Sequence, residues 1–206
     1  MSCSRPDRHR FEGTIAGLGS TGGTRVVLGS WPVSPFGSFA DVMVERADGH
    51  RLLLAPDRQV ADFVQATYTF DEVRLVPVDV RVDGPVWCVA AGPLALTFTV
   101  GARPPLGRLL RAVPARVASS PAWASAVDPV ARLVLPGVRT RGSAGGGRRE
   151  WYGARDLHRI ASMHGSWDGA DLGRLAPVDP PARFGFSSTP VRPCLTRVVS
   201  TVELPA

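Results

Sequence analysis

Phe39–Arg46 reads FADVMVER and is followed by ADGH (47–50) and RLLLAP (51–56). Phe39, Asp41, Met43 and Glu45 interleave with Ala40, Val42, Val44 and Arg46, the period-two alternation of a strand. Asp48-Gly49 lies between that run and Arg51–Ala55, so the stretch predicts a β-hairpin closed by a D-G turn. Similar runs surround it. Upstream are Phe11–Leu18, the turn GSTGG (19–23) and Thr24–Trp31; downstream are Val60–Phe70, Glu72–Val82 and Val86–Val100, the last bending at Gly92-Pro93. Short strands at this spacing, without βαβ alternation, indicate an antiparallel sandwich or barrel.

The middle of the chain changes period. Leu106, Leu109, Leu110, Val113 and Val117 form an apolar stripe at helical spacing, introduced by Pro104-Pro105 and interrupted at Pro114. Ser120-Pro121 and Asp128-Pro129 each read as an N-cap followed by proline at the first helical position. A Gly/Arg-rich loop follows Pro136-Gly137, then a strand over Tyr152–Ile160, the turn-rich HGSWDGADLG (164–173), and strands over Ala182–Ser187 and Leu195–Leu204. The expected fold is mainly β (α+β): a single antiparallel β-barrel or sandwich with a helical layer around residues 105–135. Residues 1–10 read as a disordered basic leader and 11–206 as one domain.

Composition removes several chemistries. All 24 of the Lys+Arg positions are Arg, and the 206 residues contain no Lys and no Asn, as expected of a GC-rich bacterial coding sequence. Schiff-base catalysis, a pyridoxal-phosphate anchor and a P-loop lysine are excluded, as is N-glycosylation. Cys3, Cys88 and Cys194 are odd in number and far apart, which argues against a disulfide framework and a zinc site. No metal and no cofactor is expected. MSCSRPDRHR lacks the apolar core of a secretory signal, and no apolar run approaches the length of a membrane span. The expected setting is cytoplasmic, without a membrane partner; a homodimer stays open.

The net charge of +6 is uneven. Residues 1–100 carry 9 Arg against 11 acidic side chains, and residues 101–206 carry 15 against 7. Arg139, Arg141, Arg148 and Arg149 flank Gly142–Gly147. This pattern fits a solvated loop, a clamp on a carboxylate or phosphate, or, with Trp151-Tyr152, a nucleic-acid contact. No helix-turn-helix, zinc-finger or RNP-like signature accompanies it. G-x-G-x-x-G at Gly17–Gly22 follows a strand, but Thr24–Leu28 is strand-like where a dinucleotide site needs a helix, so it reads as a turn.

Asp156, His158, His164 and Asp168 are the densest titratable group. On a regular strand Tyr152, Asp156 and His158 share a face, which suits an acid–base pair as well as a solvent-facing ion pair. Trp151 and Trp167 bracket the group and could wall a small-molecule pocket.

The segment REWYGARDLHRIASMHGSW (149–167), with ARFGFSS (182–188), resembles the C-terminal part of acetoacetate-decarboxylase-like β-barrels. Their uncharacterised relatives share an R-x-W/Y-x strand followed by an H-x-x-W turn, matched here by Arg149, Trp151, Tyr152, His164 and Trp167. The resemblance implies a closed antiparallel barrel around a pocket for a small acid or hydrophobic ligand. The decarboxylase itself needs a catalytic lysine, which this chain lacks, so its chemistry is not implied.

The function expected is therefore a pocket protein for a small-molecule anion or partly apolar acid. Arg139, Arg141, Arg148, Arg149, Trp151, Tyr152, His164 and Trp167 are its candidate ligand contacts, and Asp156 and His158 a candidate catalytic pair. The alternative is a nucleic-acid or acidic-partner module using the Arg-rich C-terminal half.

Overall fold

The computed structural model describes residues 7–205. In chain order it contains β1 (Arg8–Ser20), β2 (Arg25–Val33), β3 (Phe39–Glu45), β4 (Arg51–Ala55), α1 (Arg58–Gln65), β5 (Glu72–Leu75), β6 (Val78–Asp83), β7 (Val86–Ala91) and β8 (Leu94–Val100). The helical layer follows as α2 (Pro105–Ala112), α3 (Ala115–Ala118) and α4 (Pro121–Val134). The rest is β9 (Arg141–Ser143), β10 (Arg149–Trp167), β11 (Ala170–Asp171), β12 (Leu175–Ala176) and β13 (Cys194–Glu203).

The strands run β5-β4-β3-β2-β1-β13-β10-β8-β7-β6 across one curled, half-barrel sheet. Most neighbours are antiparallel, but β4 and β5 are parallel, so the sheet is mixed. The 39–55 hairpin forms as its alternation predicts, with Val42 opposite Leu54 and Val44 opposite Leu52.

β10 joins the two halves. Arg149–Arg159 pairs with β13, whereas Ile160–Trp167 pairs with β8. Its change of partner folds β6–β8 over one face of β1–β4. Ala16, Leu18, Val26, Leu28, Val42, Val44, Leu52 and Leu54 there meet Val89, Leu94, Leu96, Phe98, Ile160, Met163 and Trp167 in a filled core. Leu18, Val42, Val44 and Leu54 are completely buried, each burial contributing about 1.5–3 kcal/mol. The alternate residues of the same strands point to the other face, beneath α1, α2, α4 and the 178–190 segment.

Several local expectations are corrected. Of the expected leader, residues 1–6 lie outside the described residues, and Arg8–Arg10 open β1. Val60–Gln65 is helical rather than extended: the Asp57 carboxylate accepts from Val60 N–H at 2.9 Å as an N-cap, and Val60, Ala61 and Val64 bury one face. Pro77 separates β5 from β6 within the single strand expected over 72–82. α4 continues through Pro129, so Asp128 starts no helix. Residues 182–187 form no strand. β10 runs through His164, and the turn falls at Asp168 (φ 49°) and Gly169 (φ 80°) instead. The helical layer itself matches: Pro114 divides α2 from α3, and α2 lies close to β10 at Gly107, where a Cβ would sit 2.1 Å from Leu157 O.

Among the described residues, no helix is long and apolar enough to cross a membrane.

Candidate functional site

A cavity of about 560 Å³ lies between the second face of the sheet and the helical layer. Its floor is Phe11 and Ile15 of β1, Val27 and Trp31 of β2, Asp41 and Met43 of β3, Glu150, Tyr152, Ala154 and Leu157 of β10, and the alternate residues Thr196, Val198, Ser200 and Val202 of β13. Leu106, Leu109 and Leu110 of α2 and Trp123, Val127, Val130 and Val134 of α4 roof it. The roof is loosely packed: α4 buries only Ala124 and Asp128, while Leu109 and Val130 stay 65% and 61% exposed. The Asp128 carboxylate holds α4 down, its Oδ1 accepting from Thr140 N–H at 2.8 Å.

Two polar clusters interrupt this apolar wall. In the first, Trp31 Nε1–H donates to Asp41 Oδ1 at 3.0 Å, leaving Oδ2 without a hydrogen bond among the described residues. Asp41 is 2% exposed, and burial pushes its carboxyl from 3.8 up to about 7 despite the indole donor. In the second, Ser200 Oγ–H donates to Glu150 Oε1 at 2.7 Å, and Tyr68 Oη lies 2.9 and 2.8 Å from the two Glu150 oxygens. Tyr68 and Tyr152 hydroxyls are 2.6 Å apart. Burial raises the Glu150 carboxyl, against the three hydroxyls and Arg148, and drives both tyrosines well above 10.

The sequence candidates are distributed differently. Tyr152 lines the cavity, and Arg139 reaches its exposed rim. Arg141 is exposed on β9. Arg148 donates from Nη1 to Phe63 O and Thr67 Oγ1, both at 2.8 Å, and its guanidinium lies 4.7 Å from the Phe63 ring centroid. Arg149 donates from Nε to Glu203 Oε1 at 3.0 Å. Trp151 donates to Ser125 Oγ at 3.2 Å beneath the Arg8 and Arg149 guanidiniums, outside the cavity lining. His164 is exposed opposite Thr97. Trp167 belongs to the filled core, with Arg46 and Arg74 over its ring. Arg148 and Arg149 thus hold different partners, while Arg139 stands at the rim and Arg141 is exposed.

Asp156 and His158 are neighbours, with His158 Nε2 3.7 Å from Asp156 Oδ2, but neither lines the cavity. The cause is a β-bulge: Ala154 faces Val198 and Asp156 faces Arg197, so Arg155 is the extra residue. It reverses the alternation, putting Leu157 on the Tyr152 side and Asp156 with His158 on the other. Asp156 takes two bonds from Arg103, at 2.8 and 3.0 Å, and His158 Nδ1 lies 3.1 Å from Gly101 O. Burial raises the Asp156 carboxyl, but Arg103 and the Leu157 N–H outweigh it and hold it below the usual range.

Sequence reasoning passed over Asp41, Glu150, Tyr68, Trp31 and Ser200. The available signal was Asp41 between Phe39 and Met43: a carboxylate in the middle of an apolar strand face. Among the described residues, no three His, Cys, Asp or Glu side chains cluster as a metal site.

No protein-family model matches the chain, and no curated protein matches it. Among solved structures, an acetoacetate decarboxylase from Legionella pneumophila is similar at 10% identity and a TM-score of 0.45, over 99% of this chain and 90% of that one. Nothing in the site rests on that likeness.

Proposed function

We propose that the chain binds a small, largely apolar molecule bearing an oxygen function, such as an apolar acid or carbonyl compound, in the cavity beneath the helical layer. The observation that carries this reading is the cavity itself. Its volume of about 560 Å³ falls within the ~300–1,000 Å³ of small-molecule pockets, with apolar walls and a few grouped polar atoms. Ser188 Oγ and Thr189 Oγ1 are buried without a partner among the described residues, and both residues line the cavity. Arg139 is the guanidinium at the rim, placed to meet an acid's carboxylate.

An anionic macromolecule on the Arg-rich half has no comparable support. Arg103, Arg132 and Arg149 are engaged by Asp156, Asp128 and Glu203.

The test is titration with straight-chain fatty acids of graded length, read by quenching of Trp31 and Trp123, which line the cavity. Saturable binding should weaken at least about tenfold when Ala154→Trp fills the floor, a loss of about 1.4 kcal/mol. Unchanged affinity in that folded variant would refute the assignment.

A further inference from the structure

A helix lying on a protein surface in water turns its polar side chains outward. α4 does not. Ala124 and Asp128 are its buried side, while Ala122, Ala126, Pro129 and Leu133, at helical spacing on the other side, are exposed and wholly apolar. Leu133 is 85% exposed, and Val130 and Val134 of α4, Leu109 of α2 and Val117 of α3 are exposed with it. Among the described residues, these are five of the eight large hydrophobic side chains left exposed, so the apolar surface is concentrated on one layer. Leu109, Val130 and Val134 also line the cavity, so the roof there is one side chain thick. The charge of the layer is one-sided. Between Asp83 and Glu150 the sole carboxylate is Asp128, which is buried. Arg103, Arg132 and Arg149 are engaged by carboxylates, but Arg108, Arg111, Arg116 and Arg139 are exposed and have no such partner among the described residues. Cation and apolar side chain stand next to each other three times: Arg108-Leu109, Arg116-Val117 and Arg132-Leu133.

We propose that the α2–α4 layer docks on the surface of an anionic lipid bilayer, with its exposed leucine and valine side chains at the headgroup–acyl boundary and its arginines on lipid phosphates. A bilayer is the partner whose chemistry fits both halves of the pattern. Helices that lie in the membrane interface bury an apolar side at that boundary while basic residues hold anionic headgroups. An arginine stem lies along apolar surface while its head stays at phosphate level, which suits the three adjacent pairs. A nucleic acid would use the arginines and leave Val130 and Leu133 in water. A second copy would cover the apolar stripe, but in a two-fold interface the same patch meets itself, setting arginines against arginines with Asp128 buried away from them. The contact is with the membrane surface, since no helix among the described residues is long and apolar enough to cross. Docking would set the thinnest part of the cavity wall against lipid, but it does not depend on the ligand-site reading above.

The experiment is flotation of the full chain with phosphatidylcholine vesicles, with and without phosphatidylglycerol. The protein should float with the anionic vesicles, stay behind with the neutral ones, and be released as salt is raised. Replacing Arg108, Arg111 and Arg116 together by Gln should weaken partitioning about 10²-fold, at about fivefold per arginine. Leu133→Gln leaves the charge unchanged and should still weaken it at least about tenfold. Arg81→Gln, on edge strand β6 in the other half of the sheet, removes the same charge away from the layer and should float like wild type. Leu133 and the three arginines are outside the cavity lining, so fatty-acid affinity should stay at the wild-type level in these variants, with circular dichroism reporting that each is folded. Equal flotation on neutral vesicles, or wild-type flotation of folded Leu133→Gln, would overturn the proposal. So would flotation on neither vesicle, and a dimer that Leu133→Gln dissociates would then assign the face to a second copy. Failure to float with fatty-acid binding intact removes the docking face alone; flotation without fatty-acid binding removes the ligand site alone.

Discussion

Replacing Asp41 by Asn should make the protein more stable at alkaline pH and flatten its pH dependence. In the unfolded chain an aspartate releases its proton near 3.8, whereas folded Asp41 keeps it to about 7. Between those values the unfolded state binds fewer protons than the native state, so stability falls as pH rises; above about 7 this contribution levels off. A tenfold ratio corresponds to about 1.4 kcal/mol, so the interval amounts to about 4 kcal/mol as an upper bound. Asparagine has no proton to lose and keeps an oxygen for the Trp31 N–H that now reaches Asp41 at 3.0 Å. Urea unfolding from about pH 5 to about pH 8 should show wild type losing stability while Asp41→Asn stays ahead by a growing margin. Glu150 titrates in the same sense but is common to both proteins, so their difference isolates Asp41. Parallel loss of stability in the two proteins would refute the assignment of a buried, neutral-leaning carboxyl.

Two further outcomes follow from the ion pairs. Glu45 is fully buried and accepts from Arg183 N–H, Nε and Nη2 at 2.8, 3.0 and 2.9 Å, with Arg25 Nη2 at 3.0 Å, so Glu45→Ala should lower unfolding free energy by about 3–5 kcal/mol in denaturant titrations. Asp156→Ala and His158→Ala should leave fatty-acid affinity unchanged in the quenching assay, with Asp156→Ala losing about 1 kcal/mol of stability through its half-open Arg103 pair; a large drop in affinity would return these residues to the site.

The parts of the molecule that were legible in the sequence are those specified by local pattern. The 39–55 hairpin declared itself by alternation and a D-G turn, and the helical layer by its apolar spacing and prolines. α1 was missed although Asp57 precedes Val60, Phe63 and Val64 at helical spacing, because eight residues rich in valine among strands also read as extended. The site was harder to see for two physical reasons. Alternation puts Asp41 beside Phe39 and Met43 but does not say whether their face meets solvent or a covering layer. At Asp156 the inference failed on one residue, since the Arg155 bulge leaves no local signature and reverses the assignments of Asp156, Leu157 and His158. Arg148 and Arg149 are drawn apart because their partners, Phe63 and Thr67 for the first and Glu203 for the second, come from distant segments.

The sheet is a shared wall between a full room and an empty one. Leu18, Val42 and Leu54 point into the full room and secure the fold, while Ile15, Asp41 and Met43 on neighbouring positions point into the empty one. Such a wall lets two kinds of selection act on alternate letters of the same strands. Changes in α2 and α4 reshape the hollow without touching the Leu18, Val42 and Leu54 side chains of the filled core, so a lineage carrying this architecture can alter the shape and lining of the hollow in small steps, each still a folded protein.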